Sequence, residues 1–384
     1  MNTTLRIVTA FIFSLLLVSS AFAEGDNITC VDPQDYDPGK DMMHHVLDAH
    51  DWHLLDWPVE SPAGTAEGMK CYKSIGIHLP WILYSTQHGL EFFGSTHSLE
   101  ASGRYEVDEE HGAVHHVGAG HHDHAEEGHD HDHAAHDHGP AVYDFSMTKT
   151  VVQMLLVLII ATLIFTSVAR GFKKNEGKAP KGIQSFFEPI ITFVRDDVAN
   201  NYLGAKAAKY TPYLLSLFFF IWFSNLLGIT PLNSNIMGNI SVTFVLAFIT
   251  FVLVQINGTK HYWGHIIAMP GVPKWMLPLV TLIEIFGLFI KPVALMIRLF
   301  ANITAGHFMI LALVSLIFIL GKGGTSLAGS FGIMPLSVLF TIGIFCLEVI
   351  VGIIQAYVFT LLTAVFMGQA METHDHGDDH AHAH

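Results

Sequence analysis

The 384-residue sequence predicts an all-α polytopic membrane protein. About five membrane helices are expected, the last two unusually long, behind a small extracytoplasmic N-terminal domain of mixed or β character. Three observations lead there. Apolar residues make up 51% of the chain and charged ones only 14%, with a mean hydropathy of +0.42. Formal charge vanishes from runs of twenty to fifty residues after Lys149, and about 20 apolar residues suffice for a spanning helix. The remaining charge is segregated. Acidic and His-rich residues crowd the first third and the tail, while eight of the 19 Lys and Arg residues stand at 170, 173, 174, 178, 181, 195, 206 and 209. The net charge of −15 therefore describes no single surface, and nothing in it points to a nucleic-acid partner.

Arg6, the apolar stretch Ile7 to Val18 and Ala21-Phe22-Ala23 before Glu24 have the order of a secretory signal cleaved after Ala23. The alternative is an uncleaved first membrane helix. Either delivers residues 24–110 outside the cytoplasm. There Ile75, Ile77, Leu79, Trp81 and Leu83 alternate, and Gln87-His88-Gly89 can turn the chain into Leu90-Glu91-Phe92-Phe93, a strand-and-hairpin pattern with Pro80 favouring an edge. His44, His45, Asp48, His50 and His53 are expected on a solvated amphipathic helix, since no completing ligand marks a metal site. An oxidising compartment permits Cys30 and Cys71 to pair, without deciding that they do. Cys346, in an apolar run, is expected as a small core residue.

Residues 111–138 hold eleven histidines among Asp, Glu, Gly and Ala. Such a segment cannot bury a core and reads as a solvated linker over 111–140, with the His-rich tail 371–384 its counterpart. The membrane part spans 141–370. Twenty residues between Lys149 and Arg170 carry no formal charge, and the basic loop after them is cytoplasmic by the positive-inside rule. An amphipathic segment over 185–200 suits the cytoplasmic membrane surface. Fifty uncharged residues between Lys209 and Lys260 divide at Pro231-Leu232-Asn233-Ser234-Asn235 into spans near 211–230 and 238–256. Five spans leave the C-terminus in the cytoplasm.

The blocks 273–320 and 331–370 are too long for upright crossing. Forty helical residues run about 60 Å, against a hydrocarbon core of about 30 Å. Each must be inclined, broken or folded back. Their polar residues are the candidate site. Glu284, Lys291 and Arg298 recur every seventh position and share a stripe, joined by Asn302 at i+4 from Arg298, while His307 points elsewhere. Glu348 and Gln355 share a face of the other block, with Gly352 between them. One bland reading is a set of mutually satisfied groups bracing a bundle. A guanidinium inside a bilayer is costly, however, and ionisable residues there are functional by default. Arg298 keeps its charge at any working pH, so it can attract and hold a carboxylate or repel a cation but cannot relay a proton. His307 and Glu348 can each gain and lose one. Gln355 donates and accepts without charge.

The run Arg298-Leu299-Phe300-Ala301-Asn302-Ile303-Thr304-Ala305-Gly306-His307 resembles the signature of subunit a of the rotary proton-translocating ATP synthase. So does Glu348 with Gln355 in Leu347-Glu348-Val349-Ile350-Val351-Gly352-Ile353-Ile354-Gln355, as do Thr281 to Phe286, Lys291-Pro292 and Asn225-Leu226-Leu227-Gly228. The resemblance covers roughly residues 146–370. It implies a non-catalytic stator subunit of the bacterial cell inner membrane, without cofactor or metal. Its last two helices would be long and strongly tilted beside a c-ring of hairpin subunits, each bearing one carboxylate. Arg298 would separate two half-channels and displace the proton from each arriving carboxylate. His307 and Glu348 would line the outward half-channel, with Asn302 and Gln355 near the gate and Glu284, Lys291 and Asn225 in support. Peripheral-stalk subunit b, the rest of the complex and the lipid bilayer are the other implied partners. Many bacterial relatives carry an acid at the position of His307 and a histidine at that of Glu348; here the pair is exchanged. The exported domain and His-rich insertion are extra to the family. A divalent-metal transporter is the rival reading, suggested by the histidines, but these lie almost wholly outside the apolar blocks.

Overall fold

The computed structural model describes residues 28–31, 51–59, 70–86, 88–107, 114–116, 142–175, 177–230, 236–267, 273, 275–320 and 327–371. The signal, most of the His-rich linker, the tail after Met371, the break at 231–235 and four of the five clustered residues, His44 to His50, lie outside these. Within the expected linker, Val114–His116 is a strand, because its backbone finds partners along Tyr105–Val107. The chain divides into two compact units, one holding the strands and the start of the first long helix, the other holding the remaining helices.

Among the described residues the first unit contains eight short strands. Strands β1 (Ile28–Val31), β2 (Asp51–Val59) and β3 (Lys70–His78) form an antiparallel sheet in the order β1-β3-β2. Cys30 lies opposite Cys71 in the β1–β3 register, and a disulfide joins them. His53 belongs to β2, which corrects the expectation of a helix at its position. Pairing along β3, from Asp51 opposite His78 to Val59 opposite Cys71, supplies the backbone partners that decide for strand. Strands β4 (Trp81–Ser85), β5 (Gly89–Phe93) and β8 (Val142–Asp144) form a second sheet in the order β5-β4-β8. The expected hairpin is therefore present, but the strand expected over 75–83 is two strands. Leu79-Pro80 separates them, and a proline lacking its N–H suits a chain leaving one sheet for another.

Helix α1 (Thr96–Ala101), started by a reciprocal Ser95–Ser98 capping box, packs Leu99 against Trp81, Leu83 and Tyr105 of β6 (Tyr105–Val107). Strand β6 pairs with β7 (Val114–His116). Glu91 accepts hydrogen bonds from Tyr105 and Arg104, both 2.5 Å. Burial alone would favour its neutral form, but those two bonds and the guanidinium charge hold its carboxyl below the ordinary value.

The helical part contains α2 (Lys149–Lys174), α3 (Ile183–Phe193), α4 (Ala207–Gly228), α5 (Ile240–Ile256), α6 (Lys260–Ile267), α7 (Leu277–Leu320) and α8 (Leu327–Met371). A π-helical turn over Val194–Asn200 continues α3 toward α4. Among the described residues four helical stretches are long and apolar enough to cross a membrane, or five if α5 and α6, bent by 102°, count as one. The chain is a membrane protein with a small strand-rich N-terminal part, as its charge-free runs predict.

Helix α4 is the centre of the second unit. Phe165 of α2 and Phe187 of α3 meet Phe219 and Phe223 of α4 edge-on or tilted, with the closest centroids, Phe165 and Phe219, 4.6 Å apart. On its other flank Tyr210 and Leu214 join Val254, Ala364, Met367 and Ala370 in one core cluster. Helices α7 and α8 are continuous over 44 and 45 residues, about 66 Å and more, which removes the broken and folded-back alternatives. Pro292 and Pro335 lie inside them without ending them. This chain buries only 6% and 17% of their apolar windows. Cys346 is exposed on α8, not in the core as expected. A weakly polar thiol suits an apolar flank.

Candidate functional site

Helices α7 and α8 run antiparallel, and their contacts step down one as they step up the other. Lys291 Nζ lies 5.2 Å from the Phe366 ring centre, within cation–π range. Asn302 Nδ2 donates to Gln355 Oε1 at 3.0 Å. His307 Nε2 stands 3.8 Å from Glu348 Oε1, too long for a direct hydrogen bond. Ser337 Oγ donates to the Leu313 carbonyl. From Lys291 to Leu313 is 22 residues, so the seam extends over about 33 Å of helix.

Two glycines let the polar groups in. A Cβ on Gly306 would sit 2.8 Å from Glu348 Oε1 and 3.1 Å from its Cδ, so the bare backbone of α7 makes room for the carboxyl. A Cβ on Gly352 would sit 3.1 Å from Asn225 Cβ, and Asn225 Nδ2 donates to the Gly352 carbonyl at 3.0 Å. Helix α4 thereby brings Asn225 onto α8 between Glu348, one turn away, and Gln355. Glu348 and Gln355 are 3% and 4% exposed.

Most polar atoms at this level find no hydrogen-bond partner among the described residues. They are Asn225 Oδ1, Thr304 Oγ1, His307 Nε2, both Glu348 oxygens, Gln355 Nε2 and Ser224 Oγ. A buried polar atom without a partner is costly, and a run of them across three helices needs water or an incoming polar group to satisfy it. A group able to exchange protons would find donors and acceptors along that run.

Arg298 stands apart. It is exposed on α7 among exposed Val293 (45%) and Ile297 (52%), while Leu295, Leu299 and Ile303 face inward. No carboxylate pairs with it among the described residues. It therefore projects from an apolar flank that this chain does not cover, one turn from the Asn302–Gln355 bond. The expected stripe divides along its length. Lys291 and Asn302 are tied to α8, whereas half-buried Glu284 lies 23 residues, about 35 Å, from His307 and does not join the pair. Among the described residues no three His, Cys, Asp or Glu side chains converge as a metal site would require.

Reading the sequence alone overlooks what Gly306, Ser224 and Thr304 contribute. Thr304 and Gly306 stand within the run from Arg298 to His307, and Ser224 borders Asn225 in a largely apolar helix. Their contacts, which depend on how the helices meet, are not written in that order of residues.

The family model described as ATP synthase A chain matches residues 151–368. A second model, described as a domain of unknown function, matches residues 42–145. A protein of Chloroherpeton thalassium named ATP synthase subunit a is 40% identical over 245 residues, which cover 62% of this chain and 71% of the relative. Proteins of the same name from Chlorobium phaeobacteroides and Myxococcus xanthus are 42% and 38% identical. These alignments cover 62% and 63% of this chain and 69% and 78% of the relatives.

Proposed function

The chain belongs to the ATP synthase A chain family and serves in that enzyme's membrane sector, and from that premise we propose that Arg298 is the fixed charge between two proton half-channels. In this reading a rotating ring of hairpin subunits carries one protonated carboxyl at a time to the α7 flank. The guanidinium favours the ionised form, since an adjacent Arg lowers a carboxylate pKa by about 1–3. The O–H bond breaks, the proton leaves to water in one half-channel, and the carboxylate stays beside Arg298 until rotation carries it to the other. There a proton from water neutralises it. The permanent charge stops protons from passing directly between the channels.

One observation carries the reading: an exposed guanidinium on an otherwise apolar membrane flank, one turn from a clamped amide pair. His307 and Glu348 act as the relay of the outward half-channel, with unsatisfied atoms ready to pass protons. Asn302 and Gln355 set the distance between α7 and α8 at the gate, and Asn225 holds α8 against α4. Glu284 and Lys291 support the same helix nearer its start.

The reading also supplies a topology. Residues 1–23 export the chain, 24–110 form the extracytoplasmic domain, 111–140 the linker, 141–370 the channel and 371–384 a cytoplasmic tail. The membrane is the bacterial inner membrane. The ring and peripheral-stalk subunit b are the neighbours.

Arg298→Lys keeps the charge but loses the planar fork. Inverted vesicles carrying this variant are expected to lose ATP synthesis driven by a proton gradient. Full coupling in them would overturn the gate.

A further inference from the structure

The first unit carries an apolar face that the helical site leaves unused. In the sheet β5-β4-β8, Ile82 lies opposite Phe92, and Tyr84 lies opposite both Leu90 and Tyr143. Alternation puts Phe145 on that side too. Tyr84, Leu90, Phe92, Tyr143 and Phe145 are between 45% and 67% exposed. The opposite side of the sheet holds Trp81 and Leu83 in the core, together with Glu91 and its partners. The exposed side is therefore aromatic, contiguous and without a formal charge, the kind of patch that marks an interaction surface.

What it meets is indicated by where the chain goes next. Phe145 N donates to the Ile82 carbonyl at 2.9 Å, and Ile82 N donates to Ser146 Oγ at 2.8 Å, so the end of β8 is fastened to the sheet. Thr148 already accepts the first bond of α2, from Val152 N at 3.1 Å. Three residues lie between Phe145 and Lys149, four backbone steps with a reach of at most about 14 Å. The apolar run of α2 begins at once, and Met147 and Val151, both exposed, continue the apolar surface across the joint. The headgroup layer beside a hydrocarbon core is about 5–8 Å deep. Tyrosine and other amphipathic rings concentrate at that layer.

We propose that this face lies on the headgroup region of the leaflet at which α2 begins, so that the N-terminal domain rests on lipid. The contact is continuous with the lipid-facing surface of α2. Lipid is the occupant favoured by position, since the face ends within about 14 Å of the apolar run of α2.

The test places benzoylphenylalanine at Phe92, and separately at Tyr143, in the full chain within the assembled complex in native membranes. A control carries it at Glu100, exposed on α1 on the other side of the sheet. After irradiation, mass spectrometry identifies what each position has bonded to. Lipid adducts several-fold above the control are expected at both positions. An intact Cys30–Cys71 disulfide in the same sample reports a folded domain, and the second position decides where one variant fails that check. Protein adducts in place of lipid would identify a neighbouring subunit as the occupant and overturn the proposal. Lipid yields equal to the control would overturn it as well.

Discussion

Asn302 and Gln355 share one hydrogen bond, 3.0 Å long, across the α7–α8 seam, one turn beyond the exposed Arg298. The geometry at the candidate gate is thus set by an uncharged clamp, and the cation itself takes no part in fastening the helices. Interhelical bonds of this kind contribute about 0.6–2 kcal/mol in a bilayer. Replacing either residue with leucine is expected to lower proton-driven ATP synthesis, and the double replacement to lose less than the sum of the two. A double-mutant cycle on vesicle synthesis rates reads the coupling, and strict additivity would count against the clamp.

Gly306→Ala puts a methyl group where Glu348 Oε1 lies 2.8 Å away, and Gly306→Val adds bulk to the same spot. Overpacking of this kind costs about 1–3 kcal/mol. Proton pumping is expected to fall in the alanine variant and further in the valine variant. Gly264→Ala, with nothing within 4 Å of the added atom, should leave pumping unchanged. Pumping by inverted vesicles under ATP measures all three.

At 3.8 Å, His307 and Glu348 occupy one shared space on facing helices. Losing either alone, as in Glu348→Leu, is expected to cost about 10²-fold in proton flux, the low end for a positioned proton-transfer group. The exchanged double variant, His307→Glu with Glu348→His, should recover most of it. An exchange no better than the single losses would mean that these positions are not a pair.

Outside the membrane, Glu91 makes the strand unit sensitive to acid. Its carboxyl is held below the ordinary value in the folded state, so its stabilisation is present above the unfolded value, about 4.3. That contribution is lost as pH falls through the folded value. Arg104 is 40% exposed, which screens its share, so Glu91→Gln is expected to cost about 1–2 kcal/mol at neutral pH. Hydrogen-exchange protection of the Leu83 and Tyr105 amides, in wild type and variant as pH is lowered, measures both the size and the sign.

The spans were legible because hydrocarbon tolerates so little charge. Lys149 and Arg170 bracket α2, and Lys209 and Lys260 bracket α4 and α5, to within a few residues. Arg298, His307, Glu348 and Gln355 stood out for the same reason. Their partners did not. That Asn302 meets Gln355, or that Gly306 yields to Glu348, depends on the register between two helices, which no local pattern encodes. The strands repeat the lesson. Alternation revealed the hairpin, but β2 exists because β3 pairs with it from twenty residues away. Its His53 read instead as one of a cluster on an amphipathic helix.

The bare flank around Arg298 bears on how the chain is made. Insertion scales put a guanidinium at a helix centre at about 2.5–3.5 kcal/mol, and more when it faces lipid alone. A freshly inserted copy with no companion carries that penalty in full, so solitary copies are the disfavoured form. Supply of whatever covers the flank should then govern how long each new molecule survives. Pulse–chase lifetimes with and without the companion chains would measure this, and equal lifetimes would refute it.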